Sequence, residues 1–151
     1  MGAIVNASSQ RLAPGAQLDI TEEMIGQLVD AFYAVVRRDP AIGPIFHRAI
    51  PPADWPAHLA KLVDFWSSVL LMSGRFKGSP MTTHFALGDL RPTHFARWLH
   101  LFGQTAQAVW PADTAALVIA KSELIARSLQ LGIETQRDRL RAIQPHAAFA
   151  R

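Results

Sequence analysis

The aromatic residues of this chain are concentrated in one stretch. All four Trp, the single Tyr and seven of the eight Phe lie between Phe32 and Trp110, along with five of the six His. A large ring buries roughly 150–250 Å², so a fold that leaves these rings in water forfeits most of its driving force. These rings are expected to wall much of the interior. The histidines stand singly inside apolar helical patterns and form no metal-binding cluster. One reading is an aromatic-walled pocket for a flat apolar cofactor held by one axial nitrogen, which suits haem. The other is an ordinary aromatic-rich helical core with surface histidines.

Length and charge narrow the choice. A chain of 151 residues fits one domain. Half of its residues are apolar and 18% are charged, a balance that supports a core rather than disorder. The net charge is +3. Cations gather modestly at Arg137, Arg139, Arg141 and Arg151 without forming a dense block, so no nucleic-acid partner is expected. There is no cysteine, which excludes disulfides, thiolate zinc sites and cysteine-bound iron–sulfur clusters. No run approaches the ~20 apolar residues of a membrane span. The N-terminus lacks a charged region followed by a long apolar run, and Asn6 stands where a myristoylation signal needs Ser or Thr. A cytoplasmic protein without a membrane partner is expected.

Periodicity divides the chain into four long helices. Residues 1–18 have no period and read as a flexible arm. Thr21 is an N-cap, with Glu22 and Glu23 at the positive end of the helix dipole and Ile20 and Ile25 as a staple. Ile25, Leu28, Val29, Phe32 and Val36 keep helical spacing. Asp39-Pro40 and Gly43-Pro44 stop this helix and force a short irregular corner carrying Phe46. Pro51, Pro52 and Pro56 fit the first turn of a second helix. Its apolar stripe is Trp55, Leu59, Leu62, Trp66, Val69 and Leu70, with His58 at the edge. Residues 74–90 read as a loop with one or two helical turns around His84. A third helix starts near Arg91-Pro92 and turns Phe95, Trp98, Leu99, Phe102 and Val109 inward. After Trp110-Pro111 a fourth carries Leu117, Val118, Leu124, Ile125, Leu129 and Ile133. The domain is expected over 19–136, followed by a polar tail over 137–151 that frays. Long connections in compact domains tend to be functional, which singles out the one that holds His84.

Four stretches taken in order carry a resemblance. They are FYAVVRRDPAIGPIF (Phe32–Phe46), WPAHLAKLVDFWSSVLL (Trp55–Leu71), GRFKGSPMTTH (Gly74–His84) and HFARWLHLF (His94–Phe102). In order and spacing the chain resembles the truncated haemoglobins, group III, over about residues 20–135. The resemblance implies an all-α truncated globin, a two-over-two helical sandwich around haem b. In that family the helix bearing the iron ligand shrinks to a short segment after a loop, which fits residues 74–90.

The same resemblance implies roles. His84 would be the axial iron ligand, its second nitrogen held by a nearby backbone carbonyl. His94 is the rival, on a helix whose inward face is Phe95, Trp98 and Phe102. Tyr33 would lie over the iron; its buried ring leaves a hydroxyl that needs a partner. Trp98, whose one polar atom is an N–H donor, would donate to the bound ligand, or else is a core Trp. His58 takes the distal position and points either in or out. Phe46 matches the Phe that packs on the porphyrin, and Leu62, Phe65, Trp66 and Phe95 are wall candidates that equally suit a core. Arg75 and Lys77 are candidates for the haem propionates. His47, His100 and His146 read as surface residues.

On this reading the chain binds O2, NO, CO or peroxide. Two donors facing a ligand that gains negative charge imply slow release and high affinity, which suits storage, scavenging or sensing. The alternative is a haem enzyme with NO dioxygenase or peroxidase-like turnover. It would need an external reductase, because no nicotinamide motif is present. A helical interaction module without haem is the third reading. No HExxH, GxGxxG, P-loop or Ser-His-Asp order appears.

Overall fold

In the computed structural model, which describes residues 13–143, Thr21 opens the first helix as its residue type predicts. Its Oγ1 accepts the Met24 N–H at 3.2 Å. Helix α1 spans Glu22–Val36. The Asp39-Pro40 corner that follows is more regular than its Pro and Gly content suggested. Both the Ala41 and Ile42 N–H groups donate to Asp39 Oδ2 at 3.0 Å, and Pro44 falls in the first turn, where a missing N–H costs little. A short helix, α2, therefore forms over Gly43–Ala49. Helix α3 spans Trp55–Leu71, α4 Pro80–Ala86, α5 Pro92–Val109 and α6 Ala112–Ile143.

Both ends depart from expectation. Within the supposed arm, Ala13 is fully buried and the Gly15 N–H donates to the Leu70 carbonyl at 2.9 Å. A Cβ on Gly15 would stand 2.8 Å from that oxygen, so the contact requires glycine. Residues 13–18 are thus docked on the end of α3, and residues 1–12 lie outside the described part. At the other end α6 runs through Ile133 to Ile143 without a break. Its last turns are rich in good helix formers. They also do work: Arg137 Nη2 donates to the carbonyls of Gly88 and Leu90 at 2.7 and 3.0 Å. The remainder of the expected tail, 144–151, is outside the described residues.

Helix α1 packs on α3 and on α5, α5 packs on α6, and α4 packs on α6. This is the expected all-α arrangement of two helix pairs. Among the described residues there is no strand, and no helix is long and apolar enough to cross a membrane. The core has two parts. The larger runs from Ile25, Phe32 and Tyr33 to Trp66, Phe102 and Val118. Within it Trp66, Phe102 and Trp98 form a three-ring stack, with centroids 5.2 and 4.9 Å apart and planes within 17° and 7°. The smaller gathers Leu90, Phe95, Ala126, Leu129 and Ile133, with Met81 and Leu99 against it.

Gly132 shows how α4 is seated. A Cβ there would run into Sδ and Cε of Met81. Gly132→Ala should be near neutral, because a gain of up to about 1 kcal/mol in helix propensity offsets a swing of the flexible Met81 side chain. Gly132→Leu should cost about 1–3 kcal/mol through overpacking. Urea unfolding of both variants measures the difference.

Candidate functional site

Helical spacing on α1 puts Phe32 and Tyr33 side by side in the core, 1% and 4% exposed. The Tyr33 ring meets Phe46 edge-on at 5.8 Å and His58 edge-on at 5.8 Å. Burial pushes the Tyr33 phenol above its ordinary pKa, and the Trp98 indole N–H, acting on the phenolic oxygen, offsets part of that rise. The phenol therefore keeps its proton at neutral pH and has it to donate. Trp98 is half-buried and held twice: Phe102 stacks on it, and Phe32 meets it edge-on at 5.1 Å.

His58, one turn before Leu62 on α3, belongs to the same group. Its ring lies edge-on to Trp55 at 5.6 Å. Its Nε2 is buried and has no hydrogen-bond partner, an arrangement that costs free energy unless something else occupies the site. Burial, then the charge of Lys61, lower its pKa, so the ring is neutral near pH 7. A cavity of about 270 Å³ opens beside His58, lined among others by Ile50, Pro51, Asp54 and Lys61. Lys61 was not singled out from the sequence, although its spacing of three from His58 on a helix was visible.

His84 lies apart from this group, next to Phe95 of the smaller cluster. It sits in α4, half-buried, and its Nδ1 lies 2.6 Å from the Pro80 carbonyl oxygen. A carbonyl can only accept, so Nδ1 carries the proton and Nε2 is left with a free lone pair. Phe95 lies beside it, with centroids 6.4 Å apart. The expected carbonyl partner is thus identified as the residue one helical turn back. The rival, His94, is occupied: its Nδ1 accepts the Arg91 N–H at 3.0 Å at the start of α5. Among the described residues no three His, Asp or Glu side chains gather as a metal cluster.

The wall candidates divide. Phe46, Leu62 and Phe65 are half-buried against the larger cluster, and Phe95 belongs to the smaller one. Trp66, 3% exposed and stacked on Phe102, is a core residue. Arg75 is engaged within the protein: its three guanidinium nitrogens donate to Asp64 and, as a fork, to both oxygens of Glu22 at 2.8–3.0 Å. A propionate would have to share it with these two carboxylates. Lys77 is exposed. His100 is exposed, and His47 is exposed with its ring bonded to the Arg37 carbonyl. His146 lies outside the described residues.

Asp39 was missed as a residue that positions this site. Its side chain is 3% exposed, and Oδ1 accepts from Nε and Nη2 of Arg97 at 3.0 and 2.7 Å. The pair ties the α1–α2 corner to α5 at the residue before Trp98. Arg97, then the Ile42 and Ala41 N–H groups, hold the Asp39 carboxyl below its ordinary range against the opposing effect of burial. A depressed folded-state pKa means that the stabilisation is complete above about pH 4, the unfolded value. It is lost as pH falls through the folded value. Asp39→Asn should cost about 2–3 kcal/mol at pH 7. Its denaturation midpoint should also fall less steeply than the wild type's below about pH 4.

No family model matches the chain. The group 3 truncated hemoglobin ctb of Campylobacter jejuni is 34% identical over 113 residues, covering 74% of this chain and 89% of that protein. The crystal structure of the group III truncated hemoglobin from Campylobacter jejuni is similar with a TM-score of 0.72 and 32% identity, over 76% of this chain and 91% of that one.

Proposed function

This chain belongs to the group III truncated haemoglobins, and on that footing we propose that it holds haem b through His84 and binds O2 with high affinity through Tyr33 and Trp98. One observation carries the reading. Two sets of polar atoms, one beside each core cluster, are opposite in kind: a fixed imidazole with a free Nε2 lone pair on α4, and on α1, α3 and α5 a proton-bearing phenol influenced by an indole, with an orphaned imidazole nitrogen beside them.

The residues fit the group. Helices α3 and α4 do not pack closely on each other, and half-buried Phe46, Leu62, Phe65 and Trp98 offer apolar rings and chains to a flat partner. When bound, haem supplies an iron centre with a position open to a diatomic ligand. This chain's own groups do the rest. Nδ1 of His84, tied to Pro80, fixes the tautomer and the ring's orientation. Tyr33 donates its O–H to the ligand. The Trp98 indole, which lowers the phenol's pKa, makes that O–H a stronger donor. Phe46, Trp55 and His58 around Tyr33 limit water, which raises the worth of each bond.

The test is the spectrum and kinetics of the protein expressed with adequate haem. The expected result is one haem per chain and an O2 complex that dissociates slowly in stopped-flow replacement by CO. A colourless protein, or O2 release as fast as from a pocket lined only by apolar groups, would sink the reading.

A further inference from the structure

We propose that Arg75 is a positioning residue for His84, acting as the clasp that fixes the α3–α4 connection. The proposal rests on the role given to His84 above. Helix α4 has seven residues and packs on α6, not on α3. Its placement relative to α3, which carries His58, is therefore set from one side by α6 and from the other by residues 72–79, a stretch with no helix of its own.

That stretch is held by one network. Arg75 reaches Asp64 on α3 through Nε at 3.0 Å, and both oxygens of Glu22 on α1 through Nη1 and Nη2 at 2.9 and 2.8 Å. Ser67 on α3 donates to Glu22 at 2.5 Å and accepts from the Ser73 hydroxyl at 2.9 Å. The Phe76 N–H donates to Ser68 at 3.0 Å, and the Phe76 ring meets Phe65 edge-on at 5.2 Å. Glu22 and Ser67 also bridge the three parts, but within the connection it is Arg75 whose side chain reaches both α1 and α3. A planar fork is needed to hold one carboxylate with two donors while Nε holds another, which a lysine ammonium does not reproduce. Four residues after Phe76 the chain enters α4 at Pro80, so slack in the clasp passes directly to the His84 segment.

Arg75→Gln and the milder Glu22→Gln test this in the full chain. The first readout is amide hydrogen exchange, which is measurable with or without haem. Both variants should raise exchange over residues 80–86 by about 1.5- to fivefold, the range for an ion pair partly open to solvent, with no rise in the buried half of α6. The second is the iron–imidazole stretching band of the ferrous haem protein, which should shift or broaden. Arg75→Lys should recover little of either. Unchanged exchange over 80–86 in both glutamine variants overturns the proposal. So does a rise spread evenly over all helices, which would make Arg75 a general stabiliser. A wild-type chain that takes up no haem defeats the functional reading alone and leaves the exchange result to judge the clasp.

Discussion

Replacing His84 by Gly should abolish stable haem retention while leaving the helices folded. The imidazole is fixed before any ligand arrives, because its Nδ1 is tied to the Pro80 carbonyl at 2.6 Å. Removal takes away the proposed axial donor itself, whereas loss of a supporting group around a metal typically costs ten- to a hundredfold in affinity. Haem loss should therefore accelerate by at least about a hundredfold. The fold should survive. Glycine in a short helix costs about 1 kcal/mol, and α4 stays seated through Met81 on α6 and through Arg137, which holds the α4–α5 turn. External imidazole should refill the vacancy and restore pigment. His94 offers no substitute, since its Nδ1 is engaged with the Arg91 N–H. Circular dichroism, haem content and the spectrum with and without imidazole decide the matter. Unaltered pigment in His84→Gly would refute the assignment.

Tyr33→Phe should speed O2 dissociation by about ten- to a hundredfold, the equivalent of one hydrogen bond to a charged group at roughly 1.5–3 kcal/mol. Trp98→Phe should speed it too, by less. The two effects should not add. Trp98 lowers the pKa of the Tyr33 phenol, so the two groups are coupled and part of what Trp98 contributes passes through the phenol and disappears with it. In Tyr33→Phe the second substitution should then do less than it does alone, and a double-mutant cycle reads the coupling. Each Phe keeps a ring in place, so the contacts with Phe32 and Phe102 persist. Strictly additive rates would mean that the two groups contact the ligand separately. An unchanged rate in Tyr33→Phe would mean that the phenol does not reach it.

Much of this was readable one segment at a time. Thr21, Pro56 and Pro92 mark where helices begin because caps and ring-locked φ angles act within a turn. The carbonyl partner of His84 could be expected because a residue in a short helix has carbonyls one turn back. The apolar faces of Trp55–Leu70 and Phe95–Phe102 follow from a period of 3.6 residues. Trp66 was harder. Periodicity places it on an inward face, but whether that face meets a cofactor or another ring depends on Phe102, which stacks on it from a different helix.

Residue order and helical period were enough to set which segments coil, where they start, and which side chains turn inward, because those choices are made over one or two turns of chain. Contacts across the fold settled the rest. Arg75 pairs with Glu22, 53 residues away; Arg97 pairs with Asp39 at a separation of 58; and the last turns of α6 stayed helical with Arg137 holding the α4–α5 turn. No local pattern encodes such pairings. An ion pair or a docked turn gains its energy from whichever groups the packed helices bring within about 3 Å, and that proximity exists only after the layers have closed.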